Sequence, residues 1–311
     1  MSVIKEASTA SQDRFVRLPN GTRVCYRLDG ETGAPPVLLL GGLGEDLTTW
    51  SSHFVSTLAS HGLHVIRMDN RDCGRSTFAQ DPPPSLLRQL LVRPRADAYT
   101  LADLATDSAL LLEHLGVGPT HVVGRSMGGM IAQSMAARFP DPTRSLVSIY
   151  STTGDPRVGQ PAASTKLLLA SALPRTRAQA VRAHLRLTAH LAGTRHPVDE
   201  VAEAAHAVST WDRTAGDGGA GSARQIQAIQ ASGDRTAELG TVTAPTLVIH
   251  GDRDPMVHPT GGHATAIAIA GARLTVVPGM GHHLPDSLAE QVITEIAAHI
   301  TSAQRTSDRT R

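Results

Sequence analysis

Apolar and polar positions along the chain fall into a succession of short strand-like runs and longer helical ones. Arg14 to Leu18 and Thr22 to Leu28 alternate in the β manner around Asn20-Gly21, a dipeptide that favours tight hairpins, so the chain opens with two antiparallel strands. Pro36 to Leu40 and Leu63 to Met68 are continuous apolar runs, with a helical stretch from Ser51 to Ser60 between them. A helix over Leu101 to Leu115, a strand over His121 to Val123, a helix over Met127 to Arg138 and a strand over Ser145 to Tyr150 continue the series. Much later come strands over Thr246 to His250 and Arg273 to Val277, each leading into a helix, the last from Leu284 to Ile300. Apolar strands of this kind need cover on both faces, which predicts a mostly parallel, eight-stranded sheet between two layers of helices, an α/β fold.

Between Thr153 and Ala237 the strand pattern stops. Helical stretches at 163–173, 176–193, 198–212 and 222–231 replace it, broken by Gly, Pro and the loose segment Ala215-Gly216-Asp217-Gly218-Gly219. The expected organisation is therefore a core over 13–152 and 238–302, a helical cap inserted over 153–237, and flexible, polar tails at 1–12 and 303–311. A second irregular stretch, Phe78 to Tyr99, holds Pro82-Pro83-Pro84 and the apolar segment Leu86 to Val92; it reads either as a surface connection or as a pocket-lining loop.

Composition narrows the function. With 29 Lys+Arg against 28 Asp+Glu the chain has no excess of basic charge for a nucleic-acid partner, and 41% hydrophobic residues suffice for a packed core. Aromatic residues make up only 3%, so core and pocket should be lined mainly by aliphatic side chains. Cys25 and Cys73 lack the spacing of a metal or dithiol site and read as free, buried thiols. No apolar stretch of signal-peptide or membrane-spanning length is present, which makes the cytoplasm the expected location and excludes a membrane partner.

Chemistry concentrates at three points. Gly124-Arg125-Ser126-Met127-Gly128 fits G-x-S-x-G and lies between a buried strand and a helix, the setting that presents a nucleophilic serine at a sharp turn. A serine hydroxyl needs a base oriented by a carboxylate. Of 15 histidines, His282 follows the last strand in Gly279-Met280-Gly281-His282-His283, with His283 as its neighbouring competitor. Asp252 and Asp254 follow the strand before, and Asp254 is favoured because Pro255 restricts its backbone. For a developing oxyanion, the Met127 N–H is one candidate donor, and the loop Gly41-Gly42-Leu43-Gly44 supplies the other through Gly42 or Leu43.

Together these residues resemble the α/β-hydrolase superfamily, and within it the bacterial serine esterases of the aclacinomycin methylesterase type. The likeness extends to Asp69-Asn70-Arg71-Asp72-Cys73-Gly74-Arg75-Ser76-Thr77, to Ala244-Pro245-Thr246-Leu247-Val248-Ile249-His250 with Asp254-Pro255, and to Pro278-Gly279-Met280-Gly281-His282. The resemblance implies Ser126 as nucleophile, Asp254 as acid, His282 as base and the helical insertion as a cap over the site. A serine at 126 separates the chain from the dehalogenases and epoxide hydrolases of that superfamily, which use aspartate there. The implied activity is hydrolysis of a small or medium apolar ester, a methyl ester or a lactone, through an acyl-enzyme without metal or organic cofactor. A cofactor-free perhydrolase or haloperoxidase would use the same triad, and a non-catalytic ligand-binding protein on this fold is the remaining alternative. Trp211, Leu168, Leu169 and Met130 are candidates for pocket or packing positions, and Trp50 is expected beside the oxyanion loop. Oligomeric state is not encoded in these patterns.

Overall fold

The computed structural model describes residues 12–169 and 174–309. Among them, eight strands form one sheet: β1 (Arg14–Arg17), β2 (Arg23–Asp29), β3 (Pro36–Leu40), β4 (His64–Met68), β5 (Thr120–Arg125), β6 (Thr143–Ile149), β7 (Thr246–Gly251) and β8 (Arg273–Val277). Their spatial order is β1-β2-β4-β3-β5-β6-β7-β8; β2 runs antiparallel to both its neighbours and every other pairing is parallel.

All five residues of β3 are buried, because successive side chains enter different cores. Leu38 and Leu40 pack with Ile66 and Val122 beneath α3 (Leu101–Leu115) and α4 (Met127–Arg138). Val37 and Leu39 point to the other face, with Val65, Val123 and Val147, and are covered by α1 (Ser52–Ser60) and α11 (Asp286–Arg309). Truncating one of these leucines to alanine would cost about 2–5 kcal/mol. Cys25 and Cys73 are buried and form no disulfide.

Among the described residues, five helices lie between β6 and β7: α5 (Ala163–Leu169), α6 (Arg177–Leu191), α7 (Glu200–Arg213), α8 (Gly218–Ser232) and α9 (Thr236–Leu239). Gly218 and Gly219, expected in a loose connection, open α8 instead. Contacts made by the helix outweigh the weak helical preference of glycine: Arg224 pairs with Asp72 at 2.7 Å, and the Gln225 amide donates to the Arg71 carbonyl. The boundary expected after residue 237 falls inside α9, which packs on α4 and on α10 (Thr260–Ala268).

The C-terminal helix is also longer than expected. It continues through residues 303–309, where a tail was anticipated, because the apolar stripe Ile293, Ile296 and Ile300 extends to a buried Ala303. Residues 1–11, 170–173, 310 and 311, which include parts of both expected tails and the end of the first inserted helix, lie outside the described residues.

The stretch 78–99 contains only the short α2 (Leu86–Leu90) and lies on α8: Arg224 donates to the Asp81 carbonyl, Gln230 to the Gln89 carbonyl, and the Arg95 N–H to Gln227. Leu86, Leu87, Leu90, Leu91 and Val92 stay exposed. No helix among the described residues is long and apolar enough to cross a membrane.

Candidate active site

Ser126 occupies the turn from β5 into α4 with φ 54° and ψ −123°, a conformation that costs a non-glycine residue about 1–3 kcal/mol and must be held by its surroundings. Its N–H donates to the Ile149 carbonyl and its carbonyl accepts from Ser151 Oγ, both at 2.9 Å. Glycines make the turn possible: a Cβ on Gly124 would lie 2.1 Å from the Gly128 carbonyl oxygen, and one on Gly128 2.2 Å from that of Leu40. The serine hydroxyl is thereby placed at the N-terminus of α4, where the helix dipole favours negative charge.

Three of the residues singled out in the sequence meet here. His282 Nε2 lies 2.9 Å from Ser126 Oγ, and His282 Nδ1 lies 2.7 Å from Asp254 Oδ2. An ionised carboxylate can only accept, so Nδ1 carries the proton and Nε2 is left to accept from the serine hydroxyl. Asp254 is fixed by the N–H groups of Met256 and Val257, which donate to Oδ1. Burial alone would raise its pKa, but the charge of His282 and hydrogen bonds from His250 and His282 hold it well below the usual carboxylate range. The competitors go elsewhere: Asp252 accepts from the Gly279 N–H at 2.6 Å, and His283 Nε2 lies 3.5 Å from Glu203.

The loop bearing His282 is tied to the inserted helices. The His282 N–H donates to the Leu191 carbonyl at the end of α6 at 2.7 Å, the Thr194 N–H donates to the Gly279 carbonyl, and Gly193 bridges to Met280. A Cβ on Gly281 would stand 2.0 Å from the Leu191 oxygen, which explains the glycine immediately before this histidine.

On the opposite side, the Met127 N–H is among the unpaired amides at the start of α4. The Leu43 N–H has no acceptor among the described residues, whereas the Gly42 N–H donates to Glu45 Oε2 at 2.6 Å. Glu45 is in turn bound by both forks of Arg125, with Nε at 2.7 Å. Burial would push its carboxyl up, but the Arg125 charge and hydrogen bonds bring it down to about 2.

The sequence profile of the α/β-hydrolase fold matches residues 35–287. The chain belongs to the α/β-hydrolase family. It is 29% identical to the rhodomycin D methylesterase DauP of Streptomyces sp. (strain C5), over 88% of this chain and 93% of that protein. It is 25% identical to the bifunctional esterase/perhydrolase DCH of Acinetobacter calcoaceticus, covering 93% and 99% of the two chains. Among solved structures, the enol-lactonase of Burkholderia xenovorans LB400 superposes with a TM-score of 0.69 at 25% identity, covering 93% of this chain and all of that one.

Several groups around the site of this α/β-hydrolase carry no signal in the sequence. Tyr150, with φ 36°, places its ring 4.5 Å from that of His282 at an interplanar angle of 53°. Arg213, at the end of α7, reaches Asp13 at 2.8 Å, Asp46 at 3.0 Å and Asp69 at 2.7 Å, linking the helical segment to the residue before β1, to the cap of the 3-10 turn Leu47–Thr49 and to the end of β4. Gln225 accepts from the Gly44 N–H in the loop after β3. Met130 belongs to the core beneath α4, Trp50 is buried with the Arg125 guanidinium 5.5 Å from its ring centre, Trp211 lies beside Gly216, Leu168 is half-buried and Leu169 is exposed.

Proposed function

We propose that this ester hydrolase works through an acyl-serine on Ser126, with His282 as general base and acid, Asp254 orienting it, and the Met127 and Leu43 N–H groups receiving the oxyanion. The observation that carries the reading is the unbroken hydrogen-bond line Asp254–His282–Ser126 at 2.7 and 2.9 Å, ending on a serine at a strained turn. In the first half-reaction Ser126 Oγ attacks the ester carbonyl carbon and its proton passes to His282 Nε2. The tetrahedral oxyanion then collapses, the C–O bond to the alcohol breaks, and the alcohol leaves with that proton. In the second half, His282 takes a proton from water, the resulting hydroxide attacks the acyl carbon, and Ser126 recovers its proton as the acid departs.

Leu43 is preferred over Gly42 as second donor because Glu45 already engages the Gly42 N–H. The helices from α5 to α9 form the cap, and the bonds that Leu191 accepts from the His282 N–H and Gln225 from the Gly44 N–H make the cap part of the catalytic frame. The substrate class is a methyl ester or lactone, in keeping with the activities named for the relatives. Two buried thiols outside any disulfide suit a reducing compartment, and on that ground we assign the enzyme to the cytoplasm. The likeness to an esterase/perhydrolase favours one second reading, in which hydrogen peroxide replaces water in deacylation and releases a peracid. Ser126→Ala is expected to abolish hydrolysis of p-nitrophenyl butyrate while the circular dichroism spectrum is retained. Undiminished turnover by that variant would overturn the acyl-serine, and peracid formation in acetate and peroxide separates the two readings.

A further inference from the structure

Arg125 fills the open position of G-x-S-x-G with a large charged side chain, and the fold gives that charge a partner. It is the last residue of β5 and precedes Ser126 in the chain, and its buried guanidinium turns towards the loop after β3. There Nε donates to Glu45 Oε2 at 2.7 Å, Nη2 donates to Glu45 Oε1, and Nη2 also donates to Thr49 Oγ1 at 2.5 Å. The guanidinium carbon stands 5.5 Å from the centre of the buried Trp50 ring.

Glu45 carries the contact onward. Its Oε2 accepts from the Gly42 N–H at 2.6 Å and its own N–H donates to the Gly42 carbonyl at 3.2 Å, so one residue holds both polar groups of that glycine. A Cβ on Gly42 would lie 2.8 Å from Glu45 Oε2 and 3.1 Å from Ser126 Cβ, and one on Gly41 would lie 2.9 Å from the Glu45 carbonyl oxygen. Carboxylate, glycine loop and nucleophile therefore crowd one point. The contacts close a circuit that runs from Ser126 through Arg125, Glu45 and Gly42 back to Ser126. Both charges are firmly held: burial opposes each, but the Arg125 charge and hydrogen bonds carry Glu45 down to about 2, and the Glu45 charge carries Arg125 above its ordinary value. A planar fork on a carboxylate fixes direction as well as distance, which a point charge does not.

We propose that Arg125 and Glu45 are positioning residues that lock the loop after β3 to the nucleophile turn, so that the Leu43 and Met127 N–H groups stay aimed at one point in front of Ser126 Oγ. Each acts through a neighbour and not on the ester itself, Arg125 through Ser126 and Glu45 through Gly42. The clamp rests on the acyl-serine reading, because the alignment of the two donors matters only where an oxyanion forms.

Glu45→Gln keeps the shape of the side chain and drops its charge, and Arg125→Met keeps the stem without the fork. On p-nitrophenyl butyrate each should lower kcat about ten- to a hundredfold with little change in KM, since only the developing oxyanion senses misaligned donors. Arg125→Lys, a charge without the fork, should recover only part of the loss. The double variant Arg125→Met/Glu45→Gln should be no slower than the worse single one, because losing either partner already opens the circuit. It also leaves no unpaired charge, so it tests the clamp even where a single variant folds poorly. Losses that multiply overturn the clamp, as does wild-type kcat in the variants. Rates are counted per serine labelled at completion by a fluorophosphonate: a merely structural role would reduce the labelled fraction and leave kcat per labelled site at the wild-type value, which also overturns the proposal. A second measurement does not depend on turnover. An alkyl trifluoromethyl ketone, which forms a tetrahedral adduct on a nucleophilic serine, should show a Ki raised in each variant by the same factor as kcat/KM falls. Unchanged Ki beside a lowered kcat overturns the clamp even where the acyl-serine stands, whereas failure of both reagents to react at Ser126 of the wild-type enzyme strikes the acyl-serine itself and the clamp with it.

Discussion

At the scale of single residues, the site separates pairs that look interchangeable in the sequence. Asp252 and Asp254 stand two positions apart after β7, yet only Asp254 meets His282, while Asp252 caps the Gly279 amide. Asp254→Asn should therefore lower kcat about a thousand- to ten-thousand-fold by leaving the imidazole in the wrong tautomer, whereas Asp252→Asn should cost about tenfold at most. Steady-state rates on p-nitrophenyl butyrate check this, and equal losses in the two variants would show that the carboxylate has been misassigned. His282 and His283 divide in the same way, one towards Ser126 and one towards Glu203. Spacing could not separate either pair, since a two-residue offset in a loop decides direction only once the loop's hydrogen bonds are known. Glu45 was less legible still: its importance comes from accepting the Gly42 N–H and binding Arg125, 80 residues away in sequence.

Elements were legible where local pattern and tertiary environment agree. The boundaries of α3 and α4 coincide with those expected, and those of β3 do too, because each is a buried run or amphipathic stretch bounded by turns; β8, only partly buried at the sheet edge, also keeps its expected bounds. Agreement fails where distant contacts decide: α8 begins on two glycines because Arg224 and Gln225 anchor it, and α11 outlasts its polar composition because Ala303 still finds the core. The joint between α6 and the His282 loop is an element-scale device of the same origin, an acceptor at a helix end holding the loop that bears His282. Gly281→Ala would force a Cβ to within 2.0 Å of the Leu191 oxygen, so helix end and loop must separate. A displacement of roughly 1 Å at the base predicts a fall in kcat of about a hundredfold with little change in thermal stability. Wild-type kcat in the Gly281→Ala enzyme would show that this contact does not position the imidazole.

Over the whole molecule, stability carries an acid-sensitive component. His121, with Nδ1 2.8 Å from Ser145 Oγ on the neighbouring strand, is buried, and burial with the charge of Arg144 pushes its pKa down to about 3. Burial lowers His283 to about 4. Such histidines are neutral in the fold but take up protons when unfolded. Their contribution is complete above about pH 6.5 and is lost towards the folded value at about 1.4 kcal/mol per pH unit each. Asp69 acts with the opposite sign: burial lifts it to about 6, so the native state gains protons as pH falls towards the ordinary carboxylate value. His121→Asn isolates one contribution, and its Tm should fall less than that of the wild type between about pH 7 and 5. An equal fall would exclude His121 as a source. Arg213 gives the molecule a further property, one of timing. Its bonds to Asp69, Asp46 and Asp13 close over sequence separations of 144, 167 and 200 residues, and His282 reaches Ser126 over 156. Contacts so distant in the chain form late, after the local strands and helices that bring them together. A nascent chain can thus hold a well-formed turn at Ser126 while Asp46 and Asp69 still wait for α7, so that the meeting of His282 with Ser126 marks the end of folding rather than its middle.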